Sequence, residues 1–180
     1  MIPSSSFYTG ITEDLHTFLE QARRQFPLQT GIPRYSLSVS HAMRVYINAK
    51  YNRQQRLEHP DAVQYKHNAS YEDNQPQSFW VWPGQELIGA GGRAKKGLFY
   101  TVQTADAKHI VLKAQDQILS ISAETCCKFL RLSHCITYAS CQGLSLAGVR
   151  LLETDSPFFT WRHLYVGTSR CTSSRLLQVS

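Results

Sequence analysis

The chain has 180 residues, enough for one domain with a small nested one. Its 42% hydrophobic and 18% charged residues give an ordinary globular balance that does not suggest disorder. A formal net charge of +6 and a pI near 9.2 favour an anionic partner.

Five cysteines, Cys126, Cys127, Cys135, Cys141 and Cys171, are odd in number and form neither a Cys-x-x-Cys pair nor a zinc-like Cys/His quartet. They read as reduced thiols of an intracellular protein. The start, Met1-Ile-Pro-Ser, lacks the basic and apolar regions of a secretory signal. No apolar run approaches the roughly 18 residues that a membrane span needs.

Residues 11–26 read as a helix: Thr12 caps it, Leu15, Phe18, Leu19 and Ala22 make one apolar stripe, and Pro27 ends it. Tyr35–Val39 reads as a strand that feeds, through Ser40 as a cap, into a helix over His41–Tyr51. A strand running straight into a helix is the unit of a parallel, helix-covered sheet. Residues 52–78 are polar, contain Pro60 and Pro76, show no period and read as a long connection. From 79 to 121, short apolar runs alternate with glycine-rich turns, the pattern of a small antiparallel barrel or meander. Its basic hairpin, Arg93, Lys95 and Lys96, reads first as a solvated turn and second as a phosphate contact.

A short helix is expected over 123–130, a strand near Cys135–Ala139, a helix start at Gln142 and a strand near Val149–Leu152. Ser156-Pro157 has the chemistry of a helix opening, followed by Phe158, Trp161, Leu164 and Tyr165 at helical spacing up to Arg170. Leu176–Val179 reads as a final core strand. No Gly-x-x-x-x-Gly-Lys-Ser/Thr phosphate loop occurs, and no local Ser/His/Asp or Cys/His pattern stands out.

Two blocks carry the functional signal. Ile136-Thr-Tyr-Ala-Ser-Cys-Gln-Gly-Leu-Ser145 ends in a Gln-Gly step, where a ligand can come close to the backbone. Tyr165-Val-Gly-Thr-Ser-Arg170 ends in a side chain suited to planar, two-pronged phosphate contact. With Leu37-Ser-Val-Ser-His-Ala-Met-Arg-Val-Tyr-Ile-Asn48 and the Trp82–Val102 run, they resemble, in this order, motifs V, VI and IV and the nested barrel strands of the second motor domain of superfamily 1 DNA helicases, the RecD-like and Pif-like group. Versions from large DNA viruses are similar in pattern.

The resemblance implies an α/β fold, a RecA-like parallel sheet with flanking helices and a nested SH3-like β insertion. It places the motor domain at 1–51 and 122–180, a polar insertion root at 52–78 and the insertion at 79–121. It implies that ATP and Mg2+ are used, with the Mg2+ ligands on a first motor domain that is a partner of this one, and that single-stranded DNA is bound inside the cell, in the nucleus or cytoplasm. By the same resemblance Arg170 is the catalytic arginine reaching the γ-phosphate, where such a residue contributes about 10³–10⁵ in rate. Arg44, Gln142 and Gly143 line the ATP cleft, and His41, Thr137, Ser140 and Ser145 contact single-stranded DNA. Arg44 is expected on an exposed helix face. Ala139 and Ser140 stand where the family usually has His-Lys, which removes a phosphate-binding cation. The alternative reading is a non-enzymatic nucleic-acid or protein adaptor that retains the fold.

Overall fold

The computed structural model describes residues 6–67 and 76–180. In chain order its elements are α1 (Ser6–Gln25), β1 (Tyr35–Ser38), α2 (His41–Arg56), β2 (Val63–Tyr65), β3 (Phe79–Val81), β4 (Glu86–Gly89), β5 (Phe99–Ala105), β6 (His109–Ala114), β7 (Gln117–Ser122), α3 (Ala123–Phe129), β8 (Leu130–Leu132), β9 (Cys135–Thr137), β10 (Val149–Leu151), α4 (Trp161–Arg170) and β11 (Leu177–Val179). They fall into two compact units. One joins the segment through Val39 to Ile136–Ser180, and the other is Ser40–Cys135. Among the described residues no helix is long and apolar enough to cross a membrane.

The first unit is built on a four-stranded sheet in the order β11-β10-β1-β9. Tyr35, Ser36 and Leu37 lie parallel beside Val149, Arg150 and Leu151, which in turn lie parallel beside Leu177, Gln178 and Val179. Strands β1, β9 and β11 are buried at every position, as expected of a parallel sheet covered on its faces. The buried Gln178 does not disturb this core, because its Oε1 accepts from Arg150 Nε and Nη2 and from the Gln29 N–H.

Helix α1 buries Leu15, Leu19 and Ala22, while Phe18 is exposed at the rim against Trp161, with ring centroids 5.4 Å apart. The expected cap at Thr12 is corrected: α1 already begins at Ser6, since Gly10 costs a helix only about 1 kcal/mol and nothing else there breaks one. Pro27, with no N–H to donate, follows its last backbone bond, Phe26 N–H to Ala22 O. Helix α4 also starts elsewhere than expected, at Trp161 rather than at Pro157. Thr160 and His163 form a reciprocal capping box there, whereas Ser156-Pro157 is spent on a tight turn closed by Phe159 N–H to Ser156 O.

In the second unit, Ser40 Oγ accepts from the Met43 N–H at 3.1 Å and opens α2 as expected. The helix runs past Tyr51 to Arg56 because Asn52 has a tertiary partner, the backbone of Trp80, at 2.8 Å in both directions. The stretch expected to lack structure therefore holds the end of α2 and also β2, which pairs antiparallel with β3. Beyond them lies a five-stranded antiparallel sheet in the order β7-β6-β5-β4-β8, the meander that the alternating pattern predicted. Leu87, Val102, Ile110, Leu112, Ile121, Leu130 and Leu132 fill one core with Cys126 and Cys127 of α3.

Candidate functional site

The Gln-Gly block leaves the sheet at the end of β9. Thr137 O accepts from the N–H groups of Ser140 and Cys141 at 2.9 and 3.0 Å, and Cys141 O accepts from Leu144 N–H at 3.0 Å. The segment is thus a run of turns and not the helix start expected at Gln142. Its bend needs Gly143, whose φ of +82° is reached by few other residues. Gln142 and Gly143 are exposed, as are Ser140 and Ser145. Thr137 is 3% exposed. Its hydroxyl donates to Ser140 Oγ at 2.9 Å, so it positions Ser140 and does not itself present a donor to solvent.

The chain then crosses to the end of α4. Leu146 N–H donates to Arg170 O at 2.8 Å, and Thr172 N–H donates to Leu146 O at 2.9 Å, a parallel bridge that straddles Cys171. This clamp puts the last helical residue beside the Gln-Gly bend. The Arg170 guanidinium donates to Leu144 O at 3.4 Å and to Ser169 Oγ at 3.2 and 3.3 Å. All three bonds are at or beyond the long limit of normal geometry, so redirecting the half-buried guanidinium costs little. It also lies close enough to Cys141 to oppose the effect of burial, which pushes that thiol up to about 11.

Sequence reasoning missed the feature that seats α4. A Cβ on Gly167 would stand 2.6 Å from Leu151 Cδ2 and 3.0 Å from Tyr138 Cε1, so only glycine allows the helix to lie this close to β10. A glycine inside a helical pattern was the available signal. Tyr138 is core: it meets Phe159 and His163 edge-on at 5.7 and 5.2 Å, and its hydroxyl bonds Leu152 O.

His41 and Arg44 belong to the other unit. Arg44 is 5% exposed, which corrects the expectation of a solvated face. The reason is its helical phase: it shares the inward side of α2 with Ile47, Asn48, Tyr51 and Asn52. Burial, then the charge of Arg131, pushes the Arg44 guanidinium down to about 10, still protonated at neutral pH. Arg44 Nε donates to His41 Nδ1 at 3.3 Å. Burial, then Arg44 and Arg131, holds the His41 imidazole below its usual range. Arg131 joins this cationic group through the fold alone, without any motif to mark it. Among the described residues no cluster of three or more His, Cys, Asp or Glu side chains can hold a metal ion.

The two architectures together, a parallel four-stranded sheet and a set of antiparallel strands, match the fold of a RecA-like helicase domain. Neither a protein-family model nor a curated protein matches the chain. Solved structures do, Pif1 helicases among them. A structure of two coordinating Pif1 helicases, concerned with unwinding at forked dsDNA, shares 15% identity over 98% of this chain and 47% of that one, with a TM-score of 0.64. Bacteroides Pif1 in complex with ADP-AlF3 and ssDNA shares 13% identity over 98% of this chain and 49% of that one, with a TM-score of 0.59. Candida albicans Pif1 shares 14% identity over 97% and 53%, with a TM-score of 0.53. The chain spans about half the length of these structures, and identities this low establish the fold alone.

Proposed function

We propose that the chain is the second motor domain of an ATP-dependent DNA helicase or translocase of superfamily 1. The observation that carries the reading is the seating of Arg170: an arginine at the end of α4, clamped by the Leu146 bridge beside the exposed Gln142-Gly143 bend. A guanidinium held loosely at such a place is suited to neutralise the charge that spreads over phosphoryl oxygens during transfer. On this reading the motor domain comprises 1–51 and 122–180, 52–78 is the connection and 79–121 is the nested SH3-like insertion. Gln142 and Gly143 line the nucleotide cleft, and Ser140 and Ser145 offer hydroxyl groups to the backbone of single-stranded DNA, with Thr137 fixing Ser140. In the other unit, Arg44 is a proposed nucleotide contact and His41 a proposed DNA contact. Such contacts position a strand without reading its sequence. ATP is the substrate. The phosphate loop and the Mg2+ ligands come from a first motor domain, so this chain alone hydrolyses no ATP, and the assembled motor works on DNA inside the cell. The ADP-AlF3 and ssDNA complexes of the structural neighbours support the choice of ligands.

The test is hydrolysis by this chain joined to a first motor domain that carries a phosphate loop. Arg170→Ala should lower the single-strand-stimulated rate by about 10³-fold or more, with ATP affinity changed far less. Wild-type hydrolysis in the Arg170→Ala enzyme would refute the assignment.

A further inference from the structure

The loop between β4 and β5 takes no part in the site above, yet it is tied down by many backbone bonds. Gly91 and Ala94 exchange two backbone bonds at 3.1 and 3.3 Å. Gly97 N–H donates to Gly89 O at 2.9 Å, and Gly89 N–H donates to Leu98 O at 2.9 Å. Ala90 N–H reaches Phe129 O at 2.8 Å, and the Tyr100 hydroxyl accepts from Lys95 N–H at 2.9 Å. Gly89 has no room for a side chain, since a Cβ there would fall 2.1 Å from Lys95 O. Ala94 is fully buried and pins the tip from inside.

What this rigid loop displays is three cations within four residues. Arg93, Lys95 and Lys96 are all exposed, and among the described residues no ion pair involves any of the three. A plain solvated turn needs neither this charge density nor this much internal bonding. Cations on a fixed backbone lose less freedom on binding than cations on a flexible one. Closely spaced positive charges on a fixed backbone match a polyanion whose charges are closely spaced. We infer that Arg93, Lys95 and Lys96 form a sequence-independent contact to the phosphate backbone of a nucleic acid. The inference goes beyond the motor reading, because it requires no ATP chemistry and involves no residue of the Arg170 site.

The experiment compares the wild-type chain with the triple variant Arg93→Gln/Lys95→Gln/Lys96→Gln in fluorescence anisotropy. A labelled single strand, a labelled blunt duplex and a labelled poly-glutamate peptide are titrated between about 50 and 200 mM salt. Three lost phosphate contacts should lower the slope of log affinity against log salt by about 2.7 on duplex or about 2.1 on single strand. Affinity at the lowest salt should fall by about tenfold to a hundredfold. The arm that shows the loss tells which form of nucleic acid the loop holds. Unchanged slopes in both nucleic-acid arms overturn the inference, as does wild-type binding confined to poly-glutamate or absent throughout. The exposed positions should leave the melting temperature unchanged, and a folded variant with wild-type binding counts against the loop. Loss of duplex binding in the triple variant supports the loop even if Arg170→Ala leaves hydrolysis intact, so the two readings fail separately.

Discussion

Gly167→Ala tests the seating of α4 most directly. At an ordinary helical position, replacing glycine by alanine stabilises a helix by about 0.8–1 kcal/mol. Here the added methyl would sit 2.6 Å from Leu151 Cδ2 and 3.0 Å from Tyr138 Cε1, both in fully or nearly fully buried side chains. Forcing a methyl into a filled core costs about 1–3 kcal/mol. The net effect is a loss of about 0–2 kcal/mol, or roughly 0–8 °C in melting temperature for a chain of this size. The helix has to lift from β10, and Arg170 lies one turn further along it, so on the proposed function hydrolysis with a first motor domain should fall by more than the stability loss explains. Urea unfolding and thermal melting measure the first effect. Leu151→Ala removes the atoms nearest the clash. In that background Gly167→Ala should become stabilising, with a coupling of about 1–2 kcal/mol in the double-mutant cycle. A Gly167→Ala chain more stable by the full helix-propensity gain, with no coupling to Leu151, would refute the close packing.

Two further outcomes bear on the second unit. His134 packs edge-on to Tyr51 at 6.0 Å, and burial pushes its imidazole down to about 4 from an ordinary 6.5. The unfolded chain therefore binds the extra proton first, and stability present above pH 6.5 falls as the pH drops toward 4. The loss amounts to about 2 kcal/mol at pH 5 and about 3 kcal/mol near pH 4. Urea unfolding at pH 7 and pH 5 should show His134→Gln losing about that much less than the wild type, and an identical pH dependence in the two proteins would exclude His134 as its source. Asn52→Ala removes the side chain that bonds both backbone groups of Trp80 at 2.8 Å. Leaving the Trp80 N–H without its acceptor should cost about 1–3 kcal/mol in the unfolding free energy, and a cost below about 0.5 kcal/mol would show that Asn52 does not hold β3 to α2.

Local chemistry was legible wherever one residue dictated its own neighbourhood. Ser40 capped α2, Pro27 followed the end of α1, and short apolar runs separated by turns became the antiparallel meander from Glu86 to Ser122. The order of the Gln-Gly and Ser-Arg blocks indicated the helicase-like fold before any strand was paired. Sequence marked Ser156-Pro157 as the helix opening and missed the true start, where Thr160 and His163 complete reciprocal bonds in the folded backbone. Nor could it give the burial of Arg44, which depends on the phase of α2 against its own unit, or the end of α2, which is set by a partner 28 residues away in Trp80. The same division holds at the candidate site. Residue types at Gln142, Gly143 and Arg170 raised the expectation of a phosphate contact. Only the pairing of Leu146 with the backbone around Cys171, a contact between segments far apart in the chain, brought the guanidinium to the bend, because long-range hydrogen bonds depend on the whole sheet and not on the residues that make them.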